Sequence, residues 1–310
     1  MLSRRTLLGL ATAAMSFAAG TAQAEDWKAQ YPELTLAVIP AENASTTNDR
    51  YQPLADYIAK QVGVPVKLNI ANDYAAVIEA QRAGFAQIAW YGPASYARAI
   101  ITGVATEPVA VPRHNNGLTG YYSVIYVKAD SPYKTIEDLK GKKLALVDPN
   151  STSGNNAPRF GLHSQGIDVD KFFSSVVFAG SHDNAVLALA QGTADAAANS
   201  WNSEDDSNLT RMLSRGILKK DDGTAMTKAD FRVIYKTPFL PEGPYTVLAS
   251  LPDDLKKKIG AALIDYAKND KANFDKLSDG KDLELTAISA KEYQPIVDMV
   301  KFNDALRKTQ

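Results

Sequence analysis

The chain has 310 residues, a formal net charge of −1, 45% hydrophobic residues and no cysteine. That length and apolar content suit two lobes with cores of their own. The near-zero charge supplies no basic surface for nucleic acid, and the missing thiols exclude disulfides, thiolate metal sites and cysteine nucleophiles.

The first residues read as an export signal. Ser3-Arg4-Arg5-Thr6-Leu7-Leu8 is a charged start, residues 7–19 are a short apolar run, and Ala22-Gln23-Ala24 is a small-x-small cleavage site. Cleavage is expected after Ala24. The paired arginines fit a twin-arginine signal, and a general secretory signal fits as well. No lipobox cysteine marks a lipid anchor, and no later segment is long and apolar enough to span a bilayer. The mature chain is expected outside the cytoplasm.

Strands and helices then alternate. Residues 34–40 read as a strand. Residues 51–62 form an amphipathic helix, with Leu54, Tyr57, Ile58 and Val62 on one face and Gly63 at its end. Residues 65–70 are a strand, and 74–83 a helix capped by Asp73. Residues 88–92 are a third strand, and Pro93 opens a helix to residue 101. A long strand covers 121–127. The pattern restarts with strands at 144–147, 176–178 and 194–198, separated by helices at 155–165 and 181–191. Another long strand covers 231–235, and helices cover 252–268 and 290–308. This order predicts an α/β fold with mostly parallel sheets wrapped by helices. The two long strands flank a block that reads as an insertion. Residues 25–125 plus 235–310 are therefore assigned to lobe 1 and residues 126–234 to lobe 2, with a hinge at the two crossings. A ligand is expected between the lobes, at the strand C-terminal ends.

The most informative stretch is Asp148-Pro149-Asn150-Ser151-Thr152-Ser153-Gly154. It follows an apolar strand and precedes a helix. Helix N-termini carry unpaired N–H groups and a partial positive charge, so hydroxyls placed there form a seat for a tetrahedral oxyanion. Ser151, Thr152 or Ser153 also suits a plain N-cap. Gly154 is expected to let a ligand approach the backbone closely. Other polar side chains fall at strand ends: Asn72-Asp73-Tyr74, Tyr91, Tyr121, Ser181-His182-Asp183 and Asn199-Ser200-Trp201-Asn202. The three histidines, His114, His163 and His182, lack metal-ligand spacing, and no nucleophile–base pair stands out. Neither a cofactor nor a metal is expected.

Six segments carry a resemblance by their order: Asp-Tyr-Ala-Ala-Val-Ile-Glu-Ala (73–80), Ile-Ala-Trp-Tyr-Gly-Pro (88–93), Gly-Tyr-Tyr-Ser-Val-Ile (120–125), Asp-Pro-Asn-Ser-Thr-Ser-Gly (148–154), Gly-Ser-His-Asp (180–183) and Thr-Pro-Phe-Leu-Pro (237–241). The set resembles the periplasmic phosphonate-, phosphite- and phosphate-binding proteins of ABC importers. The resemblance implies a two-lobed periplasmic binding protein fold of the type II kind, with two mixed sheets flanked by helices and a two-strand hinge. It implies a small phosphonate- or phosphite-type anion as ligand and an inner-membrane permease as partner. Carried over by residue, the oxyanion pocket falls on Tyr74, Tyr121, Ser151, Thr152, Ser153 and His182. His182 donates in this scheme either as a cation or as a neutral N–H.

One departure narrows the ligand. Family members that bind aminoalkylphosphonates set acids against the amine, whereas the matching positions here are Asn202 and Gly243. Glu242 and Glu204 lie near in sequence and are possible substitutes. The expected ligand is therefore amine-free: phosphite, methylphosphonate or phosphate. Asn202 joins the expected ligand residues, with Tyr91, Trp201 and Glu242 as weaker candidates and Trp201 as a cap on a shortened pocket. The rival readings are a binding protein for another anion such as a sulfonate, an exported enzyme acting on phosphoryl compounds, and a receptor serving a sensor kinase.

Overall fold

Thirteen strands fall into two sheets in the computed structural model, which describes residues 27–308. The expected export signal lies outside the described residues. The strands are β1 (Leu34–Val38), β2 (Val66–Ile70), β3 (Ile88–Trp90), β4 (Thr106–His114), β5 (Gly120–Lys128), β6 (Lys143–Leu146), β7 (Ser175–Phe178), β8 (Ala196–Ser203), β9 (Asp206–Ser207), β10 (Phe231–Lys236), β11 (Leu240–Pro241), β12 (Tyr245–Leu248) and β13 (Asp282–Thr286). The first sheet has the order β13-β4-β12-β3-β1-β2, and the second β10-β5-β8-β6-β7. Each mixes parallel pairs (β1 with β2 and β3; β6 with β7 and β8) and antiparallel ones (β12 with β3 and β4; β5 with β8 and β10). The chain leaves the first sheet between β4 and β5 and returns before β12.

Both sheets are built by apolar alternation against amphipathic helices. Leu34, Leu36 and Val38 of β1 are buried under helix Ala44–Val62, which contributes Leu54 and Ile58, and helix Asp253–Asn269, which contributes Leu263 and Tyr266. Each such side chain contributes about 1.5–3 kcal/mol on burial. The second sheet packs Ile125, Val127, Leu144 and Leu146 against Leu162. A further apolar cluster runs from Ala37 and Tyr74 on the first-sheet side to Val124, Ala145 and Val186 on the second, joining the lobes behind the cleft. The last helix, Gln294–Lys308, braces both. Its Ile296, Val297 and Val300 pack on Ala94, Ala97 and Ala157, and Asn303 Nδ2 donates to Asn156 O at 2.9 Å.

Several boundaries depart from the sequence reading. Helix Ala44–Val62 starts seven residues earlier than expected, because Asn43 caps it by accepting from Thr46 N, and it carries Pro53 in its interior. Strand β4 was not anticipated, since Pro108 and Pro112 interrupt it and proline removes a ladder donor. It is nonetheless an inner strand. The pairings on both of its sides shift register, between Tyr245 and Thr246 and between Asp282 and Glu284. The helix expected at 155–165 begins as a wide turn, Thr152–Asn156, in which Asn156 N donates to Ser151 O, five residues back. Helix Ala157–His163 continues from it.

Candidate functional site

The ends of β1, β3, β6 and β8, the start of β5 and the adjoining loops enclose a cavity of about 120 Å³. Its walls include Tyr74, Tyr121, Ser151, Thr152, Ser153, His182 and Asn202, so the seven principal residues of the sequence reading meet at one place. Strand direction explains the convergence. Parallel strands deliver their C-terminal ends to the same side. The antiparallel β5 begins there, with Tyr122 opposite Trp201.

The Ser-Thr-Ser turn is capped by its own first hydroxyl, and all three residues line the cavity. Ser151 Oγ accepts from Gly154 N at 3.1 Å, which is the capping role. Thr152 Oγ1 accepts from Ala94 N at 2.8 Å, at the start of helix Pro93–Ile101, so one hydroxyl ties the second-sheet turn to a first-sheet helix. Ser153 Oγ is buried, lines the cavity and has only the Tyr121 phenol beside it, with no hydrogen bond of good geometry. Asn155 and Asn156 side chains hold the turn by donating to Pro149 O at 2.8 and 3.0 Å. Gly154 does not face the cavity. A Cβ there would lie 2.3 Å from Val147, so the glycine is required for the turn to fold onto its own strand rather than for a ligand to approach.

The phenols of Tyr74 and Tyr121 stay protonated. Burial raises both well above the usual tyrosine range, and the carboxylates of Asp148 and Glu242 respectively add to the effect. Both are therefore donors. His182 is a neutral imidazole. Burial brings it down to about 4, with Arg211 acting in the same sense and Asn199 and Glu42 against it. Its position on the first turn of helix His182–Ala190 also disfavours a cation.

A second group of side chains lines the other end of the cavity, and the sequence reading missed most of it. His114, at the end of β4, lies between two acids: Nδ1 is 2.6 Å from Asp282 Oδ1 and Nε2 3.2 Å from Glu242 Oε2. Burial alone would lower the imidazole, but hydrogen bonds to Asp282 and Glu242 bring it up to about 10, so it is an imidazolium. Asn202 Nδ2 reaches across from β8, 3.0 Å from Asp206 and 3.4 Å from the His114 ring. The cavity thus does contain carboxylates, contrary to what Asn202 and Gly243 suggested, but they face a cation the protein carries itself. Glu242 supplies one of them. Glu204 is exposed and does not reach the cavity.

Glu42, Arg50 and Arg211 complete the wall. Burial would raise Glu42, yet Arg50, Arg211 and Arg215 more than cancel this and hold it at about 2. Arg211 and Arg215, from the end of helix Asn208–Ser214 onward, reach both Glu42 and Asp279 across the cleft. Three further hydrogen bonds cross it: His182 N donates to Ala41 O at 2.9 Å, and the Asn43 backbone and side-chain amides donate to Asp183 Oδ2, each at 3.1 Å. The cleft is shut.

Tyr91 and Trp201 do not belong to the site. Successive strand residues point to opposite faces. Trp90 faces the cavity, so Tyr91 points away, its hydroxyl 3.3 Å from Val77 O and 3.1 Å from Gln81 Oε1. Ser200 and Asn202 likewise face inward, whereas Trp201 meets Tyr122 edge-on and takes Lys236 Nζ over its ring at 4.3 Å. Trp201 therefore caps nothing. Among the described residues no cluster of histidine and carboxylate side chains is arranged to hold a metal ion, and no helix is long and apolar enough to cross a membrane.

Comparison with known proteins places these features. A model of the family described as the periplasmic substrate-binding protein of phosphonate ABC transporters matches residues 36–298. The phosphate-import protein PhnD of Mycolicibacterium smegmatis is 39% identical over 176 residues, a match spanning only about half of each protein, 54% of this chain and 54% of the relative. The phosphonates-binding periplasmic protein of Escherichia coli is 29% identical over 293 residues, 90% of this chain and 81% of that protein. A solved binding-protein component of an ABC phosphonate transporter from Pseudomonas aeruginosa superposes with a TM-score of 0.75 at 26% identity, over 88% of this chain and 87% of that one. With two mixed sheets shut over a hydroxyl-lined cavity and a family match along nearly all of its described length, the chain belongs to the periplasmic substrate-binding proteins of phosphonate ABC transporters.

Proposed function

We propose that this protein is the exported, non-enzymatic receptor of an ABC importer and that it closes over a small amine-free phosphorus oxyanion: phosphite, methylphosphonate or phosphate. The carrying observation is the buried Ser153 hydroxyl, which has only the Tyr121 phenol beside it and no hydrogen bond of good geometry, in a cavity that phenols and hydroxyls from both sheets enter. A buried polar group left unpaired costs about 1–3 kcal/mol, which an oxyanion at this position recovers. The relatives named for phosphate import and phosphonate binding support the same ligand class. The cavity volume of about 120 Å³ corresponds to roughly four waters, which suits a tetrahedral anion and leaves little room for a long substituent. The imidazolium of His114 occupies the two carboxylates that a ligand amine would need.

About five charge-assisted bonds at roughly 1.5–3 kcal/mol each give a gain on the order of 10 kcal/mol, opposed by several kcal/mol of lost freedom. Roughly micromolar affinity, about −8 kcal/mol, is the expected result. We read the two crossings between sheets as the hinge and lobes 25–125 plus 235–310 and 126–234 as the bodies that move, so that bound anion favours the shut form presented to a permease. The test is calorimetry and thermal shift at fixed ionic strength against phosphite, methylphosphonate, phosphate, aminoethylphosphonate, methanesulfonate and sulfate. Stabilisation growing with concentration for the first three alone agrees with the proposal. Preference for aminoethylphosphonate would refute the amine-free assignment.

A further inference from the structure

We infer that His182 accepts a proton from the bound anion rather than donating one, so that the cavity selects the singly protonated form of a phosphorus oxyanion and rejects anions with no proton to give. This rests on the ligand class proposed above and concerns its protonation state.

The argument begins at Asn199, which is fully buried on β8. Its amide orientation is determined by two backbone partners. Ser200 N donates to Oδ1 at 2.9 Å, and Nδ2 donates to His182 O at 2.9 Å. Turning the amide over would set oxygen against oxygen and N–H against N–H. The atom facing the imidazole is therefore a carbonyl oxygen, 3.0 Å from His182 Nδ1. An oxygen there requires Nδ1 to carry the hydrogen. In a neutral ring that leaves Nε2 as a bare lone pair. The ring's hydrogen bond is made at Nδ1, and His182 lines the cavity, which leaves Nε2 to meet a ligand.

The charged groups around the ring leave its neutral state in place. Glu42, after β1, and Arg211, on helix Asn208–Ser214, face it with opposite effects. Asp183, on its own helix, is occupied by the Asn43 amides. Burial and the helix N-terminus disfavour a charged ring. Glu42 is held ionised by its arginines and offers no proton. A lone pair on Nε2 repels a fully ionised oxygen but accepts from a P–OH group. The complex then holds one proton between Nε2 and the anion. When the dianion is the species in solution, that proton comes from water on binding. The other oxygens remain for the phenol, hydroxyl and amide donors.

The test is calorimetry with methylphosphonate from about pH 5 to about pH 9, in two buffers of different ionisation enthalpy. Above the ligand's second ionisation (near pH 6 for a phosphate monoester) the dissociation constant is expected to rise roughly tenfold per pH unit, with uptake of about one proton. Methanesulfonate, which carries no proton at any of these values, is expected to bind at least roughly hundredfold more weakly. His182→Gln sets an amide that can donate near the Nε2 position and should flatten the dependence while circular dichroism stays unchanged. Wild-type affinity that is flat or tightens through the second ionisation, with no proton uptake, would overturn the inference and leave the phosphonate assignment standing. Failure of every phosphorus oxyanion to bind at any pH would overturn both.

Discussion

Replacing Thr152 by valine removes one oxygen and nothing of the side chain's shape. That oxygen has two tasks. It accepts from Ala94 N at 2.8 Å across the cleft, and it lies beside the Tyr121 phenol in the cavity wall, where a bound anion would meet it. The lost bond to an anion is worth about 1.5–3 kcal/mol, and the stranded Ala94 N–H costs about 1–3 kcal/mol more. The hydroxyl packs close to Gly92. A Cβ on Gly92 would stand 3.3 Å from it. When the cleft opens, water reaches the Ala94 amide, so both losses fall on the shut, liganded form. The lower bounds sum to about 2.5 kcal/mol, or roughly 70-fold in dissociation constant. Calorimetry with methylphosphonate reads this directly. Thr152→Ser, which keeps the hydroxyl, is expected within about threefold of wild type. Thr152→Val with wild-type affinity and an intact fold would show that the hydroxyl neither meets ligand nor joins the lobes.

Three further outcomes follow from the same geometry. His114 is brought up to about 10 in the folded protein, against about 6.5 for a free imidazole, so its contribution is complete below about pH 6.5 and is lost as pH rises through 10. Asp282 is itself raised by burial despite His114, which offsets part of that gain, and a net on the order of 2 kcal/mol is expected. Urea unfolding of wild type and His114→Gln at pH 6 to 10 measures it, and parallel curves would refute the imidazolium. Arg215→Ala removes one of the cations bridging to Glu42 and Asp279 and should weaken ligand affinity roughly threefold to tenfold, an effect that fades in high salt; a salt-independent loss would refute the ionic explanation. Gly243→Ala brings a Cβ 2.2 Å from the Tyr91 carbonyl oxygen, and the forced backbone shift should cost about 1–3 kcal/mol in thermal denaturation, with an unchanged melting curve refuting the close packing.

The hydroxyl-lined end of the cavity was legible because its signals are local. A hydroxyl run between a strand and a helix needs no partner to be recognised, and Ser151, Thr152 and Ser153 lie where such a run belongs. Tyr74, Tyr121 and His182 came from the ordered set of motifs, not from their chemistry alone. The opposite end was illegible because it is assembled from afar. His114 meets Asp282 across 168 positions and Glu242 across 128, through β4, whose prolines disguise it as a loop. Glu42 and Arg211 pair only once the two lobes meet. Gly154 shows the converse error. A glycine beside an anion seat invites a ligand-centred reading, yet Val147 accounts for it fully. Tyr91 and Trp201 failed on strand parity, which a one-residue difference in exit from the strand decides.

The Tyr91 carbonyl leaves Gly243 no room for a side chain. On the proposed ligand class, selectivity against amines does not depend on the absence of acids. It depends on a tenant: the imidazolium lodged between Asp282 and Glu242. Evict that ring, and two carboxylates are left facing an empty berth of the right charge for an ammonium group. On the ligand class proposed above, one substitution at His114 is the change that would turn this cavity toward amine-bearing anions while leaving the hydroxyls at its other end in place.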